Sequence, residues 1–350
     1  MSGRPIAYVM EQTLGSITHY LNLRTAEAES ALENPRPYWI PIGHREGRLP
    51  WTLTASWLTR QALNGVMTQI DGIFIHTTTL ASLSVDLFHK KPTILSTDGT
   101  PLNKLDMRRQ YGLRDDGVLR ARAKRLMHRK VFGSAAALVA WSNWTKQSFV
   151  DDYGCREEDV AVIAPGINLD EFSIGDRNHE LPRILFVGGD FERKGGDLLL
   201  DVFRKRLRGR AELILVTRGN VASEPGVQVH RNLDVNSAAL RELYRTSDIF
   251  ALPTRADCFS LVCMEAQSAG LPTISTRVGG IPDVVEDGET GYLLKSGDSA
   301  ALGDALESLV IDPAQRQAMS RKSRAAAVRR FGARENARRL FEFVRSRCPS

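Results

Sequence analysis

Short apolar runs alternate with longer amphipathic stretches along the chain, and the alternation occurs twice. The apolar runs are uniformly hydrophobic, as expected of strands that are buried on both faces of a parallel sheet. The amphipathic stretches would then be helices that cover the two faces of each sheet. In the first half we predict strands at Ile6–Met10, Gly72–His76, Thr93–Thr97, Ala137–Ser142 and Val160–Ala164. In the second half we predict strands at Arg183–Gly188, Glu212–Val216, Ile249–Pro253, Thr273–Thr276 and Tyr292–Leu294.

This pattern predicts an α/β protein of two doubly wound, Rossmann-like domains that face each other across a cleft. A length of 350 residues suits two such domains. The segment Asn168–Pro182 is rich in Asp, Gly and Asn and is our predicted linker. We predict an N-terminal domain over 1–170, a C-terminal domain over 180–330, and a C-terminal helix over 331–350 that could cross back to the N-terminal domain. Apolar residues at helical spacing give that helix a docking face, at Ala337, Leu340, Phe341 and Val344.

Positive charge is concentrated in two helical-looking segments. The net charge is +6, and residues 108–130 hold nine Lys or Arg against two Asp, while residues 316–347 hold eleven against two Glu. The rest of the chain is therefore acidic. Basic segments of this kind suit an acidic substrate, an anionic surface or nucleic acid, but a solvated helix face is the commoner explanation. We expect no nucleic-acid partner.

The remaining composition indicates a soluble cytoplasmic protein. Hydrophobic residues make up 42% and charged residues 25% of the chain, and no run approaches the roughly 18–20 apolar residues that a membrane span needs. The four cysteines form no C-x-x-C pair, which favours a reducing compartment.

The most informative motif follows the strand that ends at Pro253. Asp257 lies in the loop after this strand, and a helix begins near Ser260. The unpaired N–H groups and positive dipole end of a helix N-terminus suit a diphosphate. Glu265 lies four residues after Leu261 and shares its helix face, so two carboxylates converge where they can accept hydrogen bonds from vicinal sugar hydroxyls. The structural alternative is an Asp N-cap and one buried, paired Glu.

This motif resembles the Glu-x7-Glu motif of the retaining GT-B glycosyltransferases of family GT4, also called glycosyl transferases group 1. The resemblance covers essentially the whole chain. It implies that Glu265 holds the ribose of a nucleotide-sugar donor and that Asp257 contacts the transferred sugar. Asp257 departs from the usual Glu, and its side chain is shorter by one methylene. The resemblance also assigns donor binding to Phe259, Ser260 and Leu261.

A second motif is a glycine-rich turn after the strand that begins at Arg183. Glycines at Gly188 and Gly189 allow a ligand to approach the backbone closely, and Arg193 with Lys194 can neutralise phosphate charge. The resemblance places Lys194 against the donor diphosphate. Gly189 occupies the position of the family's early Arg, so Arg193 would supply the second cation. Such a turn is weak evidence alone and becomes strong beside the Asp257 motif.

Three residues of the N-terminal half are further candidates. His76 ends a strand, where a structural role is common, but the resemblance implies that it faces the transferred sugar and stabilises developing charge. The Leu14-Gly15-Ser16 turn matches the family's first loop over the donor phosphates, although it could be an ordinary strand–helix turn. Asp98 is a candidate acceptor contact, or else a turn-forming residue.

We expect neither a metal nor a cofactor, because the nucleotide sugar is itself a substrate. The seven His are scattered, and no acidic pair follows a strand to hold a metal diphosphate. The resemblance likewise implies metal independence.

The expected function is therefore transfer of a hexose, with retention of configuration, from a nucleotide-diphosphate sugar to a hydroxyl acceptor. A Rossmann oxidoreductase is disfavoured because G-x-G-x-x-G is missing after the first strand. A sugar-nucleotide epimerase or a phosphorylase remains an alternative, as does a non-catalytic paralogue that serves as a binding module. The donor base, the sugar and the acceptor (glycan, lipid or small molecule) stay open.

The basic segment 108–130 has two interpretations. Its apolar positions could form a narrow stripe that lies on the anionic inner face of a membrane, flanked by basic residues. The competing account packs the helix on its own sheet, with the cations solvated or bound to a phosphorylated acceptor. We favour the competing account because the stripe is short and lacks an aromatic residue. The stripe consists of Val118, Leu119, Leu126 and Met127.

Overall fold

The computed structural model of the protein describes residues 3–13, 15–30, 35–44, 49–105, 107–112, 117–234 and 236–348. The strands are β1 (Ile6–Gln12), β2 (Tyr38–Gly43), β3 (Gly72–His76), β4 (Thr93–Thr97), β5 (Ala137–Ala140), β6 (Val160–Val162), β7 (Arg183–Val187), β8 (Glu212–Val216), β9 (Val227–His230), β10 (Ile249–Leu252), β11 (Thr273–Thr276) and β12 (Gly291–Leu294). The α-helices are α1 (Gly15–Ser30), α2 (Trp51–Val66), α3 (Val85–Phe88), α4 (Val118–Gly133), α5 (Asn143–Asp151), α6 (Gly196–Val202), α7 (Ala238–Thr246), α8 (Leu261–Ser268), α9 (Ser299–Ile311), α10 (Pro313–Arg330) and α11 (Ala333–Arg347).

The chain divides into two compact units. The first unit comprises Met1–Leu105, Arg114–Gly166 and Ala333–Ser350, and the second comprises Asp106–Leu113 and Ile167–Gly332. Each unit is therefore assembled from separated pieces of sequence. A short piece of the N-terminal half belongs to the second unit, and the C-terminal helix α11 belongs to the first.

Each unit contains a parallel sheet with helices on both faces. In the part of the chain that the structure describes, the first sheet has the order β2-β1-β3-β4-β5-β6 and the second has the order β12-β11-β10-β7-β8-β9. Both orders reverse once, as doubly wound folds do. The predicted fold class, two doubly wound α/β domains, is confirmed.

Alternate side chains of the first sheet enter different cores. Ala7 and Val9 of β1 pack with α2 on one face, whereas Tyr8 packs with α1 and α11 on the other. This two-sided burial explains why these strands are apolar without alternation.

Two strands were missed by the sequence analysis, and both lie at sheet edges. β2 contains Pro41 and alternates between buried and exposed residues, which obscures a strand assignment. β9 is short and half polar. Several predicted strands also end earlier than expected, because the chain turns into the loop that follows: β5 ends at Ala140, β7 at Val187 and β10 at Leu252.

Helix α11 docks through the face that its sequence predicts. Ala337, Leu340, Phe341 and Val344 are all buried in the core of the first unit. The ring of Phe341 meets the ring of Tyr8 edge-on, with centroids 5.3 Å apart. The helix thus closes one face of a sheet whose first strand lies more than three hundred residues earlier in the chain.

Helix α4 buries one side and exposes a stripe of apolar side chains on the other. Its inward residues are His128, Val131 and Phe132. The predicted stripe points outward, with exposed fractions of 85% at Val118, 84% at Leu119, 59% at Leu126 and 38% at Met127. Helix α4 thus packs on its own unit through its three inward residues, as the competing account predicts, and the stripe lies outside that contact. Residues 113–116 of the basic segment lie outside the described residues. None of the described helices is long and apolar enough to cross a membrane.

Replacing Phe341 by Ala should destabilise the first unit by about 3–5 kcal/mol, since the truncation leaves a cavity against Tyr8. Urea unfolding followed by tryptophan fluorescence isolates this unit, because all five tryptophans of the sequence (Trp39, Trp51, Trp57, Trp141 and Trp144) belong to it. Leu126→Ala, on the exposed side of α4 in the same unit, is the control and should change the free energy of unfolding by less than about 0.5 kcal/mol. A Phe341→Ala midpoint equal to that of the control would contradict the docking of α11.

Candidate functional site

The reversal of strand order in the second unit lies between β7 and β10, which are parallel neighbours. The loops that follow two such strands leave the same edge of the sheet on opposite faces and open a crevice. The loop after β7 carries Arg193 and Lys194, and the loop after β10 carries Asp257. Both motifs singled out in the sequence therefore belong to one crevice.

Glycines shape the loop after β7. A side chain at Gly188 would collide with the ring of Phe186 and with the aliphatic part of the Lys194 side chain. Gly195 has a φ of +77° and sits against the backbone carbonyl of Pro253, so it requires glycine both for conformation and for space. Gly189 has no such constraint, since the space around it is open.

Arg193 joins the two loops. Its Nη1 donates to the carbonyl of Ala256 at 2.8 Å, and its Nε donates to Asp190 at 3.0 Å. The backbone N–H of Arg255 donates in return to the carbonyl of Arg193 at 2.8 Å. This side chain is 14% exposed, so its charge is held in a fixed place at the crevice.

Lys194 and Asp257 form an ion pair across the crevice. The Lys194 Nζ lies 2.5 Å from Asp257 Oδ2, and the two side chains are only 15% and 10% exposed. Partly buried pairs are screened little by salt, and removal of one partner leaves an uncompensated charge. An ammonium has three N–H donors, so Lys194 can hold Asp257 and still donate to an anionic ligand.

The loop after β10 leads into α8. Its N-cap residue, Ser260, makes no side-chain capping bond, so the N–H groups of the first turn are left to water or a ligand. The structural alternative is half right. Its Asp N-cap is wrong, because Asp257 pairs with Lys194 instead, whereas Glu265 is buried and paired, with Tyr244, as it predicts. Phe259 is buried, and Leu261 is partly exposed.

Glu265 lies on α8 with its carboxylate buried. Its Oε2 accepts a hydrogen bond of 2.8 Å from the Tyr244 hydroxyl on α7. Burial raises the pKa of Glu265 to about 7, while the bond from Tyr244 acts in the opposite direction. The carboxylate can therefore change its charge near neutral pH.

A short segment from the N-terminal half covers Arg193. The ring of Tyr111 lies against the Arg193 guanidinium at 4.7 Å, and the Tyr111 hydroxyl contacts Cys258 Sγ at 3.8 Å. Burial, followed by the charges nearby, raises the pKa of Tyr111 above its usual range. Tyr111 thus remains protonated and packs as an aromatic cover on the loop.

In the first unit, His76 ends β3 beside the strand-order reversal between β1 and β3. It is completely buried, and its ring is stacked on Trp141 at 4.8 Å with an interplanar angle of 8°. His19 meets the same ring edge-on at 5.1 Å. The Nδ1 of His76 is hydrogen-bonded to Ser96 Oγ at 3.2 Å. Burial, and then the charge of Lys104, lowers the pKa of His76 to about 3.

The other two candidates of the first unit also lie at the carboxyl edge of its sheet. Gly15 is the first residue of α1, whereas Leu14 of the predicted turn lies outside the described residues. Asp98 follows β4, and its carboxylate pairs with Lys104 at 3.2 Å. A nearby group that the sequence analysis overlooked is Glu11, whose buried carboxylate accepts hydrogen bonds from Trp51 Nε1 and the Thr77 hydroxyl.

Comparison with known proteins identifies the family of the chain. The family described as "Glycosyltransferase Family 4" matches residues 18–171, and the family described as "Glycosyl transferases group 1" matches residues 181–312. The second match contains the whole crevice of the second unit. The chain belongs to the family 4 glycosyltransferases.

Several curated relatives are named as D-inositol 3-phosphate glycosyltransferases. A D-inositol 3-phosphate glycosyltransferase of Corynebacterium diphtheriae is 31% identical over 56% of this chain and 53% of its own length. Another, from Catenulispora acidiphila, is 29% identical over 62% of this chain and 58% of its own length. The chain thus spans about half the length of the curated relatives that it matches.

Solved structures share the fold. A sucrose-phosphate synthase from Thermosynechococcus elongatus superposes with a TM-score of 0.78 at 17% identity, covering 98% of both chains. Anabaena HepE, solved in complex with UDP-glucose, superposes with a TM-score of 0.74 at 14% identity, covering 98% of this chain and 100% of the other. These glycosyltransferase-like folds have the same two-domain α/β architecture.

The structure thus groups some of the sequence candidates and leaves others in the first unit. Arg193, Lys194 and Asp257 meet at one crevice, with Glu265 on the helix that follows. Gly15, His76 and Asp98 belong to the first unit. Tyr244 and Tyr111 escaped the sequence analysis because no spacing rule links them to the residues they contact.

His76 should remain neutral from about pH 8 to pH 5, because burial lowers its pKa to about 3. Imidazole NMR signals, with His76 assigned by a His76→Gln variant, measure this directly. A titration midpoint near the ordinary histidine value of about 6.5 would show that the ring is open to water and contradict the packing against Trp141.

Proposed function

We propose that this protein is a hexosyltransferase that moves a sugar from a nucleotide-diphosphate sugar to a hydroxyl acceptor, without a metal and with retention of anomeric configuration. The donor site lies in the second unit. Membership of the family and the curated relatives' name support the transfer reaction, and the solved complex of HepE with UDP-glucose supports a nucleotide-sugar donor.

The observation that carries the proposal is the meeting of two cations and a carboxylate at the strand-order reversal. Lys194, Arg193 and the first turn of α8 would hold the diphosphate, whose negative charge matches all three. Asp257 would contact the transferred sugar, and Glu265 would hold the ribose. Positioned cations can neutralise the leaving diphosphate, so the chemistry needs no metal ion.

In the transfer step, the bond from the anomeric carbon to the β-phosphate oxygen breaks and a bond to the acceptor oxygen forms. We propose that the leaving phosphate oxygen takes the acceptor's proton. His76 does not serve as a base, because its buried imidazole is neutral and has little basicity. Its role is to shape the acceptor side through its stack with Trp141. Asp98 remains our candidate contact for the acceptor.

The acceptor is the least constrained part of the proposal. The shared name of the curated relatives makes D-inositol 3-phosphate the first compound to test.

A thermal-shift panel of UDP-, GDP- and ADP-sugars would identify the donor, because binding stabilises the folded state in proportion to RT ln(1 + [L]/Kd). Release of nucleotide with formation of a glycoside supports a transferase. An isomerised nucleotide sugar would indicate an epimerase, and binding without turnover would indicate a non-catalytic module.

Changing Lys194 to Ala should weaken donor binding by about 1.5–3 kcal/mol, since a charge-assisted contact to the diphosphate is lost. Isothermal titration calorimetry measures the change in Kd. Lys205→Ala is the matched control, because Lys205 forms an exposed pair with Asp201 on the same unit.

The double variant Lys194→Ala/Asp257→Asn separates two causes of this loss. In the single variant, Asp257 stays charged without its partner and would repel the diphosphate. We therefore expect the double variant to recover part of the affinity. An unchanged donor Kd in Lys194→Ala would remove this residue from the donor site.

The product should keep the anomeric configuration of the donor, and EDTA should not reduce the rate. The proton coupling of the anomeric position in the product, followed by NMR, decides the stereochemistry. An inverted product, or activity lost with EDTA and restored by a divalent ion, would overturn this part of the proposal.

We also propose that α4 lies on an anionic membrane surface. The supporting observation is its outward stripe of Val118, Leu119 and Leu126, which basic side chains flank. Each basic residue near such a surface contributes about 1 kcal/mol. The alternative is that the cations bind a phosphorylated soluble acceptor.

Co-sedimentation with vesicles distinguishes these accounts. The protein should bind vesicles that contain anionic lipid and should release at high salt. Leu119→Ser/Leu126→Ser should abolish the binding, whereas Val328→Ser, an exposed change on α10, should not. Protein that stays in the supernatant at low salt would rule out the membrane proposal in favour of a soluble acceptor.

A further inference from the structure

Tyr244 and Glu265 form an isolated polar pair inside the second unit. Tyr244 is completely buried on α7, and Glu265 is 7% exposed on α8. The Tyr244 hydroxyl donates to Glu265 Oε2 at 2.8 Å. Although twenty-one residues separate them, the pair joins two helices that flank β10.

The position of the Tyr244 ring is set by its packing, independently of the hydrogen bond to Glu265. The ring of Phe172 meets it edge-on with centroids 5.7 Å apart, and the ring of Phe250 lies 5.9 Å away. Because two aromatic rings contact the Tyr244 ring, the position of its hydroxyl is fixed. The hydroxyl therefore sets the rotation of the Glu265 carboxylate rather than following it.

A carboxylate has two oxygens, each of which can accept hydrogen bonds. Tyr244 holds Oε2, which leaves Oε1 as the acceptor for a ligand. A free carboxylate rotates about its last bond over a broad range, so the fixed oxygen determines the direction of the other. An oriented acceptor of this kind suits a hydroxyl pair such as that of a ribose.

We propose that Tyr244 is a positioning residue for the nucleotide ribose, because its hydroxyl orients the Glu265 carboxylate. This inference rests on the proposed function, in which Glu265 holds the ribose. Tyr244 itself touches no substrate and acts through the carboxylate.

The electrostatics of the pair agree with this role. Burial raises the pKa of Glu265 to about 7, and the Tyr244 hydrogen bond counteracts the rise. Burial, and then the Glu265 charge, raises the pKa of Tyr244 well above its usual value, so the phenol keeps its proton and donates. Other charged and titratable groups around α8 are Cys263 on the helix, the Lys194–Asp257 pair before it, and Arg177 and Arg324 on carbonyls at its end.

The sign of the pH dependence follows from these groups. Glu265 is ionised above its pKa, so affinity for a ribose should fall as the pH drops through about 7. Without the Tyr244 hydroxyl the carboxylate loses a stabilising donor, and the midpoint should move to higher pH.

The test compares Tyr244→Phe with the parent protein by calorimetry, using UDP and 2′-deoxy-UDP, with the GDP and ADP pairs measured in parallel. Tyr244→Phe keeps the ring between Phe172 and Phe250. Tyr292→Phe is the control, since the Tyr292 hydroxyl also takes part in a side-chain hydrogen bond in the same unit, which it accepts from Gln315 Nε2 at 3.0 Å. Glu265→Gln marks the complete loss of the carboxylate. Melting temperatures of all variants check that each one is folded.

We expect the parent protein to prefer the ribonucleotide by about tenfold, the range of one hydrogen bond to a charged group. Tyr244→Phe should reduce this preference below about threefold, raise the pH midpoint of binding by about one unit, and leave 2′-deoxy-UDP affinity almost unchanged. Tyr292→Phe should match the parent, and Glu265→Gln should remove the pH dependence.

The outcomes separate failure of this inference from failure of the proposed function. If the parent binds a ribonucleotide and Tyr244→Phe retains its preference and its midpoint, Tyr244 is only a packing residue. If Tyr292→Phe shows the same changes, they follow from the loss of any tyrosine hydroxyl in this unit, and the inference is wrong. If the parent binds none of the nucleotides, the proposed function fails, and the inference fails with it.

Discussion

The ion pair between Lys194 and Asp257 is the interaction on which the second unit's crevice depends. It joins the loop after β7 to the loop after β10 at the one place where the strand order reverses. Arg193 adds a second bond between the same loops, and Gly195 lets the first loop pass against Pro253. Positive charge is thereby fixed at the crevice where we propose that the diphosphate binds, and it is organised before any ligand arrives.

Burial gives the two units different chemistry. In the second unit, Arg193, Lys194 and Asp257 are partly buried but paired, so each of them can exchange a partner for a ligand. In the first unit, His76 lies in an aromatic cluster with His19 and Trp141, where burial suppresses protonation. We therefore propose that the second unit neutralises the charge of the leaving diphosphate, and that the histidine cluster of the first unit shapes the acceptor side.

Much of the fold could be predicted from sequence because strands buried on both faces are apolar throughout. The strands that were missed, β2 and β9, lie at sheet edges, where one-sided burial and Pro41 remove that pattern. Asp257 and Lys194 could be found because each follows a strand. Their pairing could not, since it depends on which strands are neighbours in the sheet. Tyr244 and Tyr111 belong to no sequence motif. Only the packing of the fold brings Tyr244 to Glu265 and Tyr111 to Arg193.

Hydrogen–deuterium exchange with and without UDP-, GDP- or ADP-glucose tests the central claim most directly, because it reports on every backbone segment at once. The account predicts slower exchange in the loop that spans 188–196 and in the segment 257–268 when the correct donor is bound. Protection confined to the first unit, or protection that spares both segments while a donor is bound, would contradict it.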